Sequence, residues 1–131
     1  MKKITHTIAF WICLLTGLGL IFIGARFFLV PVVAEHAFGI QVNTDGNYSF
    51  HYIKGVRDLF SGLVLVALLL ARQYRALGIL LLCAVIIPAT DMSIVASQSS
   101  FQTTALFPHL SAVIIVILLG IHYVRVKTER G

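Results

Sequence analysis

Charged residues are scarce in this chain of 131 residues: only five are Asp or Glu, and all charged residues together make up 11%. A soluble domain carries about 25% charged and about 45–50% apolar residues, whereas 59% of this chain is hydrophobic. Too few polar groups remain to cover the surface of a water-soluble domain. The same apolar excess excludes intrinsic disorder, which requires low hydrophobicity. The composition therefore predicts one integral membrane domain whose principal partner is the lipid bilayer.

Cysteine is also rare, and basic residues are not arranged for nucleic acid. Cys13 and Cys83 stand alone in apolar runs, and no C-x-x-C occurs, so neither a zinc ribbon nor a dithiol redox centre is indicated. The net charge is +5 and the pI about 9.6. The basic residues, however, lie at the ends of apolar runs, where they act as signals of membrane topology. We therefore predict no nucleic-acid partner.

Metal and cofactor chemistry has no recognisable motif. Glu35, His36, His51 and His109 are the residues that could be interpreted as metal ligands. Adjacent residues do not share a helix face, and the pairs His-x₃-His and Glu-x-x-His, which bind metals from one helix face, do not occur. We expect no metal and no cofactor.

Four apolar stretches approach the length of about 20 residues that a spanning helix needs. Their predicted bounds are about 8–30, 53–71, 76–96 and 107–124. Pro31 follows the first stretch, Pro88 lies within the third, and Pro108 lies in the first turn of the fourth, where proline is tolerated. The prediction is an all-α membrane protein, a four-transmembrane-helix bundle forming one domain over residues 1–131, with outer loops 32–52 and 97–106.

The distribution of basic residues predicts the orientation of this bundle. Cytoplasmic ends of membrane helices carry the excess of Lys and Arg. Seven basic residues fall on one side of the four stretches and three on the other. The larger group is Lys2, Lys3, Arg72, Arg75, Arg125, Lys127 and Arg130, and the smaller is Arg26, Lys54 and Arg57. We therefore expect both termini in the cytoplasm, in a multi-pass protein of a bacterial plasma membrane.

The first outer loop permits two interpretations. Apolar residues alternate with small or polar ones in 38–42 and again in 48–52, and residues 43–47 between them are turn formers. Such alternation around a turn predicts a short β-hairpin with one apolar face. The alternative is an irregular, partly helical loop.

Ionisable residues gather at one depth, near the predicted outer ends of the helices, and every helix contributes at least one. In chain order they are Arg26, Lys54, Arg57, Asp58, Asp91 and His109. Lys54, Arg57 and Asp58 follow the spacing i, i+3 and i+4, so they share one helix face. The expected ion pairs are Asp91 with Arg57 or Arg26, and Asp58 with Arg26 or Lys54.

A charge within a membrane segment costs about 2.5–3.5 kcal/mol on insertion scales, so these side chains should face inward and be paired. One hypothesis gives the six residues chemical roles. In it Asp91, Asp58 and His109 transfer protons as catalytic groups, while Arg26, Arg57 and Lys54 bind the polar head of a ligand. The other hypothesis limits them to salt bridges that fix helix packing.

Three short segments carry a family resemblance: Gly24-Ala25-Arg26, the run 54–59 (KGVRDL), and 88–91 (PATD). Together they resemble an uncharacterised, domain-of-unknown-function family of small four-helix membrane proteins, itself loosely similar to DoxX-like proteins. The resemblance spans nearly the whole chain. It implies a four-helix membrane fold with the same polar positions and no assigned activity. The DoxX-like similarity implies quinone or redox partners, but the chain has no haem, flavin or cysteine motif.

Two functions from different classes remain. The first is a membrane protein that binds or isomerises a lipid-soluble molecule, isoprenoid or quinone-like, by proton transfer. The second is a non-catalytic accessory subunit or small transporter, acting as a monomeric bundle or as a homodimer. Small multidrug exporters have a similar size, but they place a carboxylate in the first helix. Here the first acid, Glu35, follows that helix, and this weakens the transporter interpretation.

Overall fold

The computed structural model describes residues 2–98 and 102–126, and every regular element in those ranges is helical. The elements are α1 (Lys2–Leu29), α2 (Pro31–Phe38), α3 (Ser49–Leu70), α4 (Tyr74–Ala84), α5 (Ile86–Ala96), a 3₁₀ turn (Thr103–Leu106) and α6 (Phe107–Arg125). The predicted all-α class is confirmed. Lys127, Arg130 and part of the second predicted outer loop, residues 99–101, lie outside the described residues.

Three helical stretches are long and apolar enough to cross a membrane: Lys3–Leu29, Tyr74–Ala96 and Thr103–Arg125. Only 17–22% of the residues in their most apolar windows are buried inside the protein. Most of their apolar side chains therefore face outward, which is stable in lipid but not in water. This surface indicates an integral membrane protein.

Two prolines decide where helices break. Pro31 has no backbone N–H to donate, so α1 ends at Leu29 and Pro31 becomes the first residue of α2, where that N–H would be unpaired in any case. Pro88 cannot donate to the carbonyl of Ala84, four residues earlier. The third predicted helix is accordingly interrupted at Val85, between α4 and α5.

The helices pack as two close pairs, α1 with α3 and α4 with α6. Glycines form both contacts. A Cβ added to Gly24 of α1 would lie 2.6 Å from the backbone nitrogen of Leu59 in α3, and one added to Gly78 of α4 would lie 2.5 Å from that of Val124 in α6. The backbones touch where a side chain would keep them apart. The α1–α3 contact thereby sets the position of Arg26 relative to the charged start of α3.

The loop predicted to be the first outer one is not a β-hairpin, which corrects one of the two interpretations of residues 32–52. Pro31–Phe38 forms α2, and α3 already begins at Ser49. Gly39, in the left-handed region at φ 99°, caps α2 by donating its N–H to the carbonyls of Glu35 and His36. The proline start and glycine end favour a helix over strand pairing, and only residues 39–48 remain irregular. The partly helical alternative describes this loop.

Candidate functional site

The charged side chains of α3 and α5 meet in one ion-pair cluster of Lys54, Arg57, Asp58 and Asp91. Lys54 Nζ donates to Asp58 Oδ2 at 2.5 Å and lies 3.7 Å from Asp91 Oδ2. Arg57 Nη2 lies 3.2 Å from both carboxylate oxygens of Asp91, and Arg57 Nε lies 3.7 Å from Asp58 Oδ1. Two cations therefore face two carboxylates, and the ion-pair cluster carries no net charge.

Burial differs strongly across the ion-pair cluster. The carboxylates are most enclosed, with side chains 5% exposed at Asp58 and 11% at Asp91, while Lys54 is 18% and Arg57 42% exposed. The Lys54 ammonium also lies 4.6 Å from the ring centre of Phe38 and 5.4 Å from that of Phe27, within cation–π range. The Lys54 side chain is thus mostly enclosed by its contacts, whereas Arg57 reaches the protein surface.

Arg26 is the cation that the ion-pair cluster leaves out. Of the four expected pairings, Arg57–Asp91 and Lys54–Asp58 form, and neither pairing with Arg26 does. Within the described parts of the chain Arg26 has no ion pair. Its guanidinium carbon lies 5.9 Å from the ring centre of Phe22, one turn earlier on α1. It is a half-buried positive charge without a carboxylate.

His109 is buried, and its hydrogen bond defines where its proton lies. Nε2 lies 2.9 Å from the backbone carbonyl oxygen of Phe38. A carbonyl oxygen can only accept, so Nε2 carries the hydrogen, and Nδ1 of the neutral ring keeps a lone pair. Of the predicted residues with a proton-transfer role, His109 is therefore the one with a free basic nitrogen.

A cavity of about 340 Å³ joins these groups. Apolar side chains form most of its wall, among them Leu20, Ile23, Leu65, Leu81 and Val116. Five of the six predicted site residues also line it: Arg26, Lys54, Asp58, Asp91 and His109. Arg57 does not, and it acts on the cavity through its contacts with Asp91 and Asp58. An apolar cavity with a few convergent polar groups is the usual form of a small-molecule site. We call it the bundle cavity.

Glu35 and His51 form a buried acid–histidine pair that no pattern in the sequence predicts. Glu35 Oε2 and His51 Nε2 lie 2.5 Å apart, with both side chains 6% exposed. The two residues had been weighed only as metal ligands. No group of three or more His, Cys, Asp or Glu within residues 2–98 and 102–126 is placed to hold a metal ion. The pair forms because α2 packs against α3, and sixteen residues of separation leave no periodic signal in the sequence.

Comparison with known proteins yields one family. The family model described as Domain of unknown function (DUF4267) matches residues 17–123, a range that includes all six predicted site residues. No curated protein and no solved structure matches the chain.

Proposed function

The chain belongs to the DUF4267 family, a domain of unknown function, and from the geometry of its site we propose that the bundle cavity binds an amphipathic, lipid-soluble small molecule. The polar head of this molecule lies against Arg26, and its apolar part lies among the aliphatic side chains. An isoprenoid or quinone-like compound has this chemistry.

The unpaired charge of Arg26 is the observation that carries the proposal. The ion-pair cluster is internally neutral, so it has no need of a further charged group. Arg26 faces the same apolar cavity, and no carboxylate within residues 2–98 and 102–126 pairs with it. A guanidinium at an apolar site is favourable only when oxygen acceptors satisfy its donors. A carboxylate, phosphate or pair of carbonyl oxygens on the ligand would supply them.

The size of the cavity limits what it holds. Ligand sites usually measure about 300–1,000 Å³, and 340 Å³ lies near the lower bound. One ring system, or the head of a longer molecule, fills this volume. A longer hydrocarbon tail would extend between the helices into the bilayer.

Proton transfer is the reaction that these side chains support without a cofactor. His109 Nδ1 would take a proton from a carbon next to a carbonyl whose oxygen Arg26 binds. The developing negative charge moves onto that oxygen, where the guanidinium stabilises it. Return of the proton to another carbon of the same molecule completes an isomerisation. Asp58 and Asp91 would serve as secondary proton carriers, since both line the same cavity.

The proposal includes a fourth membrane span and its orientation. Helix α3 has 22 residues, which at 1.5 Å each spans about 33 Å, enough to cross the hydrocarbon core. The charges near its start would then lie at the outer interface, and both termini in the cytoplasm. In a Cys83→Ser background, Asn43→Cys should react with an impermeant maleimide in intact cells, and Arg75→Cys only after lysis. The reverse pattern would contradict this topology.

The ligand is tested by native mass spectrometry of protein released gently from lipid, with the co-purified molecule identified by fragmentation. We expect one defined lipophile with an oxyanion or carbonyl head on the wild type. Its occupancy should fall about tenfold or more in Arg26→Gln, because a charged hydrogen bond is lost. Arg75→Gln, the same change at an exposed position of α4, should retain it. Bulk lipid alone, or equal occupancy in Arg26→Gln, would refute the proposal.

The second candidate function is an accessory subunit or small transporter in which the charges only fix helix packing. One observation favours it: the ion-pair cluster is complete without a ligand, since each carboxylate already contacts two cations. In that case the mass spectrum would show a second protein and no defined small molecule.

A further inference from the structure

A second cavity, of about 530 Å³, lies next to the irregular segment 39–48. We call it the loop cavity. Phe27, Phe38 and Lys54 line both cavities and so form the wall between them. The opposite side of the loop cavity is formed by apolar side chains of the loop, including Ile40 and Val42, and by Phe50 and His51 at the start of α3. Of the six residues with proposed roles at the bundle cavity, only Lys54 also lines the loop cavity.

The contacts of Glu35 indicate which ring nitrogen of His51 carries the hydrogen. Glu35 Oε1 accepts from the backbone N–H of Val42 at 3.4 Å, and Oε2 contacts His51 Nε2 at 2.5 Å. An ionised carboxylate can only accept, so opposite an ionised Glu35 the hydrogen of the imidazole lies on Nε2. His51 Nδ1 then carries a lone pair. This is the carboxylate–imidazole arrangement that holds a histidine in one tautomer and one orientation.

His51 Nδ1 is a buried acceptor without a partner. The residue is 6% exposed, and within the described parts of the chain Nδ1 has no hydrogen bond. Its ring is fixed in place by Tyr48, edge-on at 5.4 Å between centroids, and by Phe27 at 6.2 Å. Buried polar atoms in proteins nearly always have a partner, and one left open calls for an explanation.

The cavity wall also offers donors. Asn43 Oδ1 accepts from the N–H of Asp45, and Asn47 Oδ1 accepts from the N–H and hydroxyl of Ser49. Because the oxygen of each carboxamide is engaged within the loop, its NH₂ group is the part left for another molecule. The loop cavity thus combines aromatic and aliphatic walls, one strong acceptor and amide donors.

We infer that the loop cavity is a second binding site, for a flat, weakly acidic hydroxyl compound such as a phenol or an enol. Its O–H donates to His51 Nδ1, its ring packs among Phe27, Phe38 and Phe50, and a second oxygen accepts from the amides of Asn43 and Asn47. Glu35 is the positioning residue, since it acts on the ligand only through His51. This site stands apart from the bundle cavity, so either site can fail its test without the other.

Two probes that differ only in the hydroxyl test the inference: 4-nitrophenol and 4-nitroanisole, titrated into the full chain in detergent against empty micelles, in a buffer acidic enough to keep the phenol un-ionised. We expect saturable binding of 4-nitrophenol, about tenfold tighter than that of 4-nitroanisole, the factor that one hydrogen bond provides. His51→Gln should abolish the difference. The glutamine amide nitrogen takes the place of Nε2 and keeps the bond to Glu35, while the Nδ1 position is lost. His36→Gln, at an exposed histidine on α2, should preserve it.

Equal affinity for the two probes, absence of saturable binding, or a preference that survives in His51→Gln would each overturn the inference. A second measurement needs no folded variant. In histidine-labelled wild type, long-range ¹H–¹⁵N spectra should show 4-nitrophenol shifting Nδ1 of His51 and of no other histidine. A shift at His109 instead would assign the probe to the bundle cavity and refute a site in the loop.

Discussion

Replacement of Gly24 by alanine tests whether the α1–α3 contact determines both the stability and the site of this protein. The new Cβ would lie 2.6 Å from the backbone nitrogen of Leu59 and 2.7 Å from the backbone oxygen of Gly55. Both atoms belong to the backbone of α3, so no side-chain rotation can relieve the overlap. The two helices must separate.

The size of the effect follows from the overlap. The shortest contact falls about 0.8 Å below the 3.4 Å at which ordinary van der Waals contact begins. Overpacking of this kind costs about 1–3 kcal/mol. At roughly 4 °C per kcal/mol for a domain of this length, the melting temperature should fall by about 4–12 °C. Arg26 lies two residues away, so it should move relative to Lys54 as the helices part.

Thermal unfolding in one detergent, followed by loss of the monodisperse peak in gel filtration, measures the change. Gly19→Ala is the matched control, since it lies on the same helix and an added Cβ meets nothing within 4 Å. It should stabilise the helix by up to about 1 kcal/mol, because alanine has a higher helix propensity than glycine. If Gly24→Ala is as stable as Gly19→Ala, the close approach of α1 and α3 is wrong, and with it the position of Arg26 at the bundle cavity.

The remaining predictions concern the ion-pair cluster and the core. Asp91→Asn should cost about 1–2 kcal/mol, below the usual value for a broken buried pair, because Arg57 is 42% exposed and can turn to water. Asp58→Asn should cost more, about 2–4 kcal/mol, because Lys54 is only 18% exposed; thermal unfolding in detergent compares them, and the opposite order would contradict this account. Leu81→Ala, at a fully enclosed position, should cost about 2–5 kcal/mol. Ile79→Ala, at a side chain 51% exposed, should cost far less in the same assay, and equal losses would place Leu81 outside the core.

Much of the architecture can be read from local features of the sequence. The apolar excess predicts helices with lipid-facing surfaces, because only helices and closed barrels satisfy their backbone within a bilayer. Pro31 and Pro88 mark the helix breaks. Proline has no backbone N–H, so the carbonyl four residues earlier loses its helical hydrogen bond. The Lys54–Asp58 pair follows from the i, i+4 spacing on one helix face. The two-residue alternation of 38–42 and 48–52, by contrast, predicts a β-hairpin, whereas the structure has an irregular segment and the start of α3 there.

Only the tertiary structure decided which distant groups meet. His109 bonds to the carbonyl of Phe38, 71 residues away, and Glu35 reaches His51 because α2 turns back onto α3. Arg26 was one of two candidate partners for each aspartate, but Lys54 and Arg57 hold both carboxylates, and the guanidinium is left facing the bundle cavity. Helical and strand periodicity describe neighbours within a few residues, so the sequence alone determined the helices and their charged faces. The partners, the cavities and the unpaired groups depend on how the helices pack against one another.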